Sequence, residues 1–317
     1  MTDKERYKKL CAGEPSIPIY SRDWWLDCVC GEKKWDVLLY QNGEDIEAVM
    51  PYYTPCKWII SMPPYTQSMG IWFNPECEKE NYSKNLSRKH IICNYFIQRL
   101  PKHTFFVQNF HYLFTDWLPF YWKGYSQTTR YSYILPDIRN IKEIEKNMSY
   151  DMKYDINKAQ KKYQIEIKTH LNVDLFLEIN AKTYERQGKK SYQPEILRRL
   201  IEIAYSRNEG NIWGAFDKSG QLLAAVFVAW QKNCAYYIAG GSNSLGRKSS
   251  AQAYALWKAI VDMAEKVQMF DFSGSMLQGV EHFFREFGTV QLPYSVITKG
   301  RMDLIKKILF KIRTLKK

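Results

Sequence analysis

Phe270-Asp-Phe-Ser-Gly-Ser-Met-Leu-Gln-Gly-Val-Glu-His-Phe-Phe-Arg-Glu-Phe-Gly288, closing on Pro293-Tyr294, decides the fold of this 317-residue chain. It reads as a short aromatic strand, a small-residue turn at Ser273-Gly274-Ser275, a brief amphipathic helix, a stopping glycine and a new strand. In a strand, alternate side chains point to opposite faces, so Phe270 and Phe272 anchor one face and Asp271 takes the other. Gly288 ends the helix where a left-handed residue is needed. A strand that turns abruptly into a helix opens a cleft at its end.

Working outward, residues 165–169 alternate as a strand, and residues 174–187 carry Leu175, Phe176, Ile179 and Tyr184 at helical spacing up to Gly188. Pro194 suits a first helical turn, followed by the apolar face of Leu197, Leu200, Ile201, Ala204 and Tyr205. Strands are expected at 212–216, 222–230 and 235–239, the first two joined by the hairpin signal Asp217-Lys-Ser-Gly220. After Gly240-Gly241-Ser242 a long helix is expected over 250–267, capped by Ser250 and striped with Tyr254, Trp257, Val261 and Ala264. The N-terminal half supports a similar succession. A helix at 22–29, a hairpin of 36–40 and 46–53 around Gln41-Asn-Gly43, and a strand at 67–73 are followed by a helix at 84–99. A strand at 105–110, a short helix at 114–121 and a strand at 125–135 complete it. Phe106, Asn109, Phe120 and Gly124 share the spacing of Phe270, Ser273, Phe284 and Gly288, which points to an internal repeat. The expected fold class is α+β, with domains at 1–140 and 141–317.

Hydrophobic content of 45% excludes global disorder, and no low-complexity segment occurs. The aromatic content of 15%, with 23 Tyr, predicts rings mostly in the core and in groove walls. A net charge of +13 concentrates anions around the protein, and nucleic acid, an acidic membrane surface or a phosphate-bearing ligand would each answer it. Seven cysteines are scattered, and Cys28-Val-Cys30 lacks the spacing of a zinc site, so free thiols in a reducing cytoplasm and no metal are expected. The charged start, Met1-Thr-Asp-Lys-Glu-Arg, is not a signal peptide, and no run of about 18 apolar residues could span a membrane.

The order of strands and helices resembles the GNAT acyltransferase fold, in which donors bind where two central strands splay apart. Two such domains in tandem are similar to the FemAB-like acyltransferases. The resemblance rests on the helix with Lys153-Tyr-Asp-Ile-Asn-Lys158-Ala159 and on Phe270-Asp-Phe-Ser-Gly-Ser275 running into Phe283-Phe-Arg285-Glu-Phe-Gly288. It covers most of the chain and is strongest over 151–294. It implies transfer of an acyl group from a thioester, or of an aminoacyl group from charged tRNA, to an amine of a cell-envelope or polysaccharide-related precursor. It further implies a cytoplasmic enzyme at the inner membrane face. An acyl-CoA donor is preferred because no long helical arm for gripping tRNA is evident. A non-catalytic nucleic-acid- or membrane-binding protein on the same fold is the rival from another class. In the peptidoglycan branch a lysine beside the motif's aromatic residues steadies developing charge; the matching position is Arg285, which keeps the charge as a fixed guanidinium.

Acyl transfer to an amine needs a neutral nucleophile, a destination for its proton and donors facing the oxyanion. Backbone N–H groups around Tyr237 to Gly241 would supply the last. Asp271 and Glu281 are candidates for base or acceptor-orienting group, Arg285 for charge stabilisation, and Tyr294 for a proton donor to the leaving group. A turn-capping Asp271 and a solvated Glu281 are the competing readings, and His282 reads as a packing or solvent-facing residue. The stretch Gly240-Gly241-Ser242-Asn-Ser-Leu-Gly-Arg247-Lys248-Ser249-Ser250 is a candidate phosphate cradle between strand and helix, although the Arg/Gln-x-x-Gly-x-Gly/Ala signature of acetyl-CoA binding is missing. Lys153 and Lys158, with Ser273 and Ser275, are candidates for substrate contact; the helix holding Lys153, Lys158, Lys161 and Lys162 reads as a face for a phosphorylated acceptor or tRNA, and equally as a solvated basic face. Residues 301–317 place Ile305, Ile308, Leu309 and Ile312 on one stripe among lysines, a basic amphipathic helix for anionic lipid or for the protein's own core.

Overall fold

The computed structural model describes residues 1–300 except 44, 79–80, 187 and 189. The basic helix expected at 301–317 lies outside the described residues. The chain forms two compact units, residues 1–130 with the chain from 293 onward, and residues 131–292.

The first unit contains α1 (Asp3–Gly13), α2 (Asp23–Cys30), β1 (Trp35–Asn42), β2 (Asp45–Cys56), β3 (Ile59–Ser61), β4 (Trp72–Phe73), α3 (Tyr82–Arg99), β5 (Phe105–Asn109) and α4 (Leu118–Trp122). β6 (Ser126–Leu135) carries the chain out of it. Apolar periodicity does not announce α1. Thr2 and Glu5 start it with a reciprocal capping box that satisfies two free N–H groups. The strand expected at 67–73 is reduced to the two residues of β4. Gly70 takes φ of +93°, a Cβ there would run into the Phe110 ring, and Met69 bonds backbone to backbone with Asn109 and His111. Within this unit the sheet order is β1-β2-β3-β5, then the strand from 293 onward. Its core centres on edge-to-face rings of Phe106, Phe110, Phe120 and Tyr125.

The second unit contains α5 (Ile141–Asn147), α6 (Tyr150–Asn157), a π-helical turn at Lys158–Lys162, β7 (Glu166–Thr169), α7 (Val173–Arg186), α8 (Pro194–Ser206), β8 (Gly210–Phe216), β9 (Leu222–Gln231) and β10 (Cys234–Ser242). α9 (Ser244–Lys248), α10 (Ala251–Met263), β11 (Met269–Asp271) and α11 (Gln278–Arg285) follow, and β12 (Val290–Lys299) leaves the unit. Its sheet order is β6-β11-β10-β9-β8-β7. α10 is buried nearly all round, from Ala251 and Tyr254 to Ala259 and Met263, because alanines let it lie close on β8 and β9. Phe270 and Phe272 complete that core.

The sequence sets one domain boundary at 140/141, whereas the chain changes unit at 130/131 and again at 292/293. The cause is strand pairing. β12 lies antiparallel to β5, Val296 facing Asn109 and Lys299 facing Phe106, and β6 lies antiparallel to β11, Phe270 facing Leu135. The residues expected to correspond share local features: Phe106 and Phe270 are each fully buried, Phe120 and Phe284 are buried on the following helices, and Gly124 and Gly288 follow those helices at φ of +76° and +77°. The fold is mixed α+β.

Candidate functional site

The site grows from the residue run that ends β11. Asp271 closes the strand by accepting the Ser273 N–H at 2.7 Å, and Ser273 and Gly274 then take φ of +61° and +59°. A Cβ on Gly274 would overlap the Tyr131 carbonyl, so the turn needs glycine at this position. β11 therefore stops early. β10 pairs with it in parallel only over Cys234–Tyr236, yet its antiparallel pairing with β9 continues to Ser242, through a bulge between Tyr237 and Ala239. From Tyr237 onward one edge of β10 has left its neighbour. On it the Gly240 carbonyl accepts from Asn180 Nδ2 of α7 at 2.8 Å.

A cleft of about 460 Å³ lies at this place, within the second unit. Tyr237, Gly240 and Ser242 of β10 line it, together with Arg247 of α9, Gln252 of α10, Arg186 and Thr183 of α7, Asp155 of α6 and Phe283 and Phe284 of α11. Gln252 Nε2 donates to the Tyr237 hydroxyl oxygen at 3.0 Å, which leaves the phenolic proton to be given elsewhere. Burial pushes the Tyr237 pKa up to about 12, so the ring keeps that proton at neutral pH. The Phe284 ring touches both Tyr237 (5.9 Å between centroids) and Tyr133 of β6 (6.3 Å).

A second polar group gathers about Tyr133. Its hydroxyl accepts from Gln291 Nε2 at 2.7 Å, and its pKa is raised, first by burial and then by the Glu281 carboxylate, against the opposing effects of Gln291 and Arg285. Glu281 and Arg285 form an i,i+4 ion pair at 3.5 Å on α11. The structure thus brings these two predicted residues together. Their partners Tyr133 and Gln291 escape sequence reasoning because both come from strands that approach α11 only in the fold.

Other predicted residues divide. Tyr237, Gly240, Ser242, Arg247 and Ser250 line the cleft; Gly241, Lys248 and Ser249 do not. Ser249 is buried and its hydroxyl donates to Leu245 and Gly246 carbonyls, while Lys248 is exposed. Asp271 is buried and does not line the cleft. Its register partner is Tyr236, so alternation turns it away from the face that Tyr237 takes. Its carboxylate accepts from Ser132 Oγ at 2.6 Å as well as from Ser273, and burial raises its pKa to about 6. Ser275 accepts the Leu277 N–H at the start of α11. Lys153 donates to the Lys146 carbonyl, and Lys158 pairs with Asp155 at 2.8 Å, at the first residue of the π-helical turn. Tyr294 lies in the first unit, where its hydroxyl accepts from Gln67 Nε2 at 2.8 Å. His282 is exposed beside Arg285 and Glu286. Arg186, Thr183, Asp155 and Gln252 were not anticipated; the i,i+4 spacing of Lys182 and Arg186 was the one visible sign of a basic face on α7. Among the described residues no group of three or more His, Cys, Asp or Glu could hold a metal ion, and no helix is long and apolar enough to cross a membrane.

The glycine-rich stretch does not form an open backbone cradle. Gly240 and Gly241 belong to β10, and α9 fills the expected loop. A Cβ on Gly240 would overlap the Tyr237 hydroxyl, one on Gly241 the Ile179 carbonyl, and one on Gly246 the Leu223 carbonyl, so protein already occupies the space that glycine leaves. The N–H groups of Asn243, Gly246, Arg247, Ser249 and Ser250 donate to Leu223, Asn243, Asn243, Leu245 and Arg247. Ser250, expected to cap α10 with its side chain, sits at φ of +58° and makes no capping bond. The glycines of this stretch are therefore packed against protein and do not open a backbone cradle.

Residues 146–285 match the family model of an acetyltransferase (GNAT) domain. No curated protein matches the sequence. Among solved structures the chain is similar to FemX, at 10% identity and a TM-score of 0.69, with 93% of this chain and 96% of that one covered. It is similar also to the C-terminal domain of a putative lysylphosphatidylglycerol synthetase from Agrobacterium fabrum (8%, 0.54, 89% of each chain). A third is a tandem GNAT protein from the clavulanic acid biosynthesis pathway (9%, 0.53, 94% and 95%). At these identities the likeness is one of fold.

Proposed function

We propose that this GNAT-superfamily N-acyltransferase, FemAB-like in fold, holds the acyl arm of its donor in the Tyr237 cleft and passes the acyl group to an amine of a cell-envelope or polysaccharide-related precursor. The observation that carries this reading is the departure of β10 from β11 at Tyr237, with a half-buried, protonated phenol and an apolar Phe283–Phe284 wall at the point of departure. A bound donor supplies a carbonyl activated by a thiol or alcohol leaving group. The chain's own groups do the rest. Backbone N–H groups of β10 between Tyr237 and Gly241 face the oxygen that becomes negative. Tyr237 gives its proton to the leaving group, since Gln252 occupies only an oxygen lone pair. Glu281 takes the proton of the attacking amine, directly or through Tyr133, and Arg285 holds the Glu281 carboxylate in place and offsets its charge.

An aminoacyl donor is the second reading, favoured by the similarity to a domain named for lysylphosphatidylglycerol synthesis. Both readings expect work in the cytoplasm, with the +13 charge drawing the protein to anionic surfaces. The test is incubation of purified protein with acetyl-CoA, longer acyl-CoA thioesters or charged tRNA, together with nucleotide-linked amino sugars and peptidoglycan precursors as acceptors. Products are followed by mass spectrometry. Gain of one acyl or aminoacyl mass on an acceptor amine supports the reading; its absence with every donor rejects it.

A further inference from the structure

We infer that the donor's phosphates are held by side-chain cations, in a basin formed by Lys182, Arg186 and Arg247 where α7 meets α9, and not by a cradle built on the glycines of β10. The inference rests on the acyl-transfer reading of the cleft and specifies how its donor is held. Two observations argue against a glycine-lined cradle: the spaces beside Gly240, Gly241 and Gly246 are filled, and the N–H groups of Asn243, Gly246, Arg247, Ser249 and Ser250 are spent inside the protein. The basin itself has a volume of about 340 Å³ and is lined by these three cations with Gln221, Asn243, Ser244 and Leu245, and by no carboxylate. Arg186 and Arg247 line both the basin and the cleft, so an acyl arm lying in the cleft leads its phosphates directly to them.

Lys182 and Arg186 stand at i,i+4 on α7, where two like charges repel unless an anion lies between them. Arg247 uses one donor on the Ser242 carbonyl at 3.1 Å and retains the others of its guanidinium for phosphate oxygens. The ligand chemistry is a set of phosphate groups linked to the acyl-bearing arm. CoA thioesters and the acceptor end of aminoacyl-RNA both carry it.

Isothermal titration of the full chain with CoA, with pantetheine (the same arm without phosphate) and with a short RNA hairpin ending in an acceptor strand separates these sources. For whichever of CoA and RNA binds, the double variant Lys182→Gln/Arg186→Gln is expected to weaken binding by about tenfold or more. Its salt dependence should also become shallower by about one to two in log–log slope. Donor KM should rise more than kcat falls, pantetheine binding should hold, and Lys232→Gln, an exposed lysine of the β9–β10 turn, should change nothing. Unchanged CoA and RNA binding in a folded double variant overturns the inference, and so does an equal loss of pantetheine binding. Failure of wild-type protein to bind either phosphate donor also overturns it, while leaving acyl transfer from another donor possible to observe. Intact cation-dependent binding without acylation of any amine would instead strike the proposed function.

Discussion

Tyr237 of β10, partly buried, and Asp271 at the end of β11, fully buried, are neighbouring acids whose environments give them opposite duties. Tyr237 lines the cleft with its proton uncommitted, so Tyr237→Phe is expected to lower kcat by about 10²- to 10⁴-fold while donor KM changes little. Steady-state kinetics with the donor varied reads the split. With a pKa of about 12, the phenol should impose no falling limb on the rate below that pH. Asp271 faces away and holds a turn. Burial raises its folded pKa to about 6 from an ordinary value of 3.8, so stabilisation present below about pH 4 is lost as pH rises through 6, amounting to at most about 3 kcal/mol. Asp271→Asn keeps an acceptor for Ser132 and Ser273, and should remove this dependence. Urea denaturation at pH 5 and 7.5 should show the variant gaining on wild type as pH rises; His111, held neutral by burial with a pKa of about 4, contributes equally to both and cancels.

At the scale of the element, β10 sets the site, and its paired glycines are there for packing. Gly241→Ala would push a Cβ into the Ile179 backbone of α7 and should destabilise the protein by about 1–3 kcal/mol, read as a lower urea midpoint at unchanged slope. Had these glycines served a ligand, the same substitution would weaken donor binding with stability intact. The strand–turn–helix–strand run from Phe270 was legible because each part has a local signature: alternating aromatics, a small-residue turn, and a helix stopped by Gly288 at positive φ. The helix starting at Pro194 and the Asp217–Gly220 hairpin were legible for the same reason. α9 was not. Its five residues are too few for periodicity, and the Asn243 side chain that caps it reads equally well as loop. The partners Tyr133 and Gln291 were beyond local reading altogether, since 158 residues separate them.

Over the whole molecule, the pattern read as a repeat lies in the sequence, but the pairing of β12 with β5 and of β6 with β11 does not, because pairing between distant segments leaves no local pattern. The consequence can be tested by dissection. A fragment of residues 131–292 keeps Ile134 and Leu135 beside β11, whereas one of 141–317 loses them and carries β12 without β5. The first should show a cooperative thermal transition by circular dichroism and the second should not; a cooperative 141–317 fragment would contradict the strand assignment. The most direct check of the central claim is a single-turnover experiment, with donor prebound to wild type and to Tyr237→Phe and amine transfer followed by mass spectrometry. Acyl transfer to the amine by wild type, and a slowing by about 10²-fold or more in a variant that still binds donor, is the predicted result. Transfer at the wild-type rate by the variant, or none by wild type with any donor, would contradict the account.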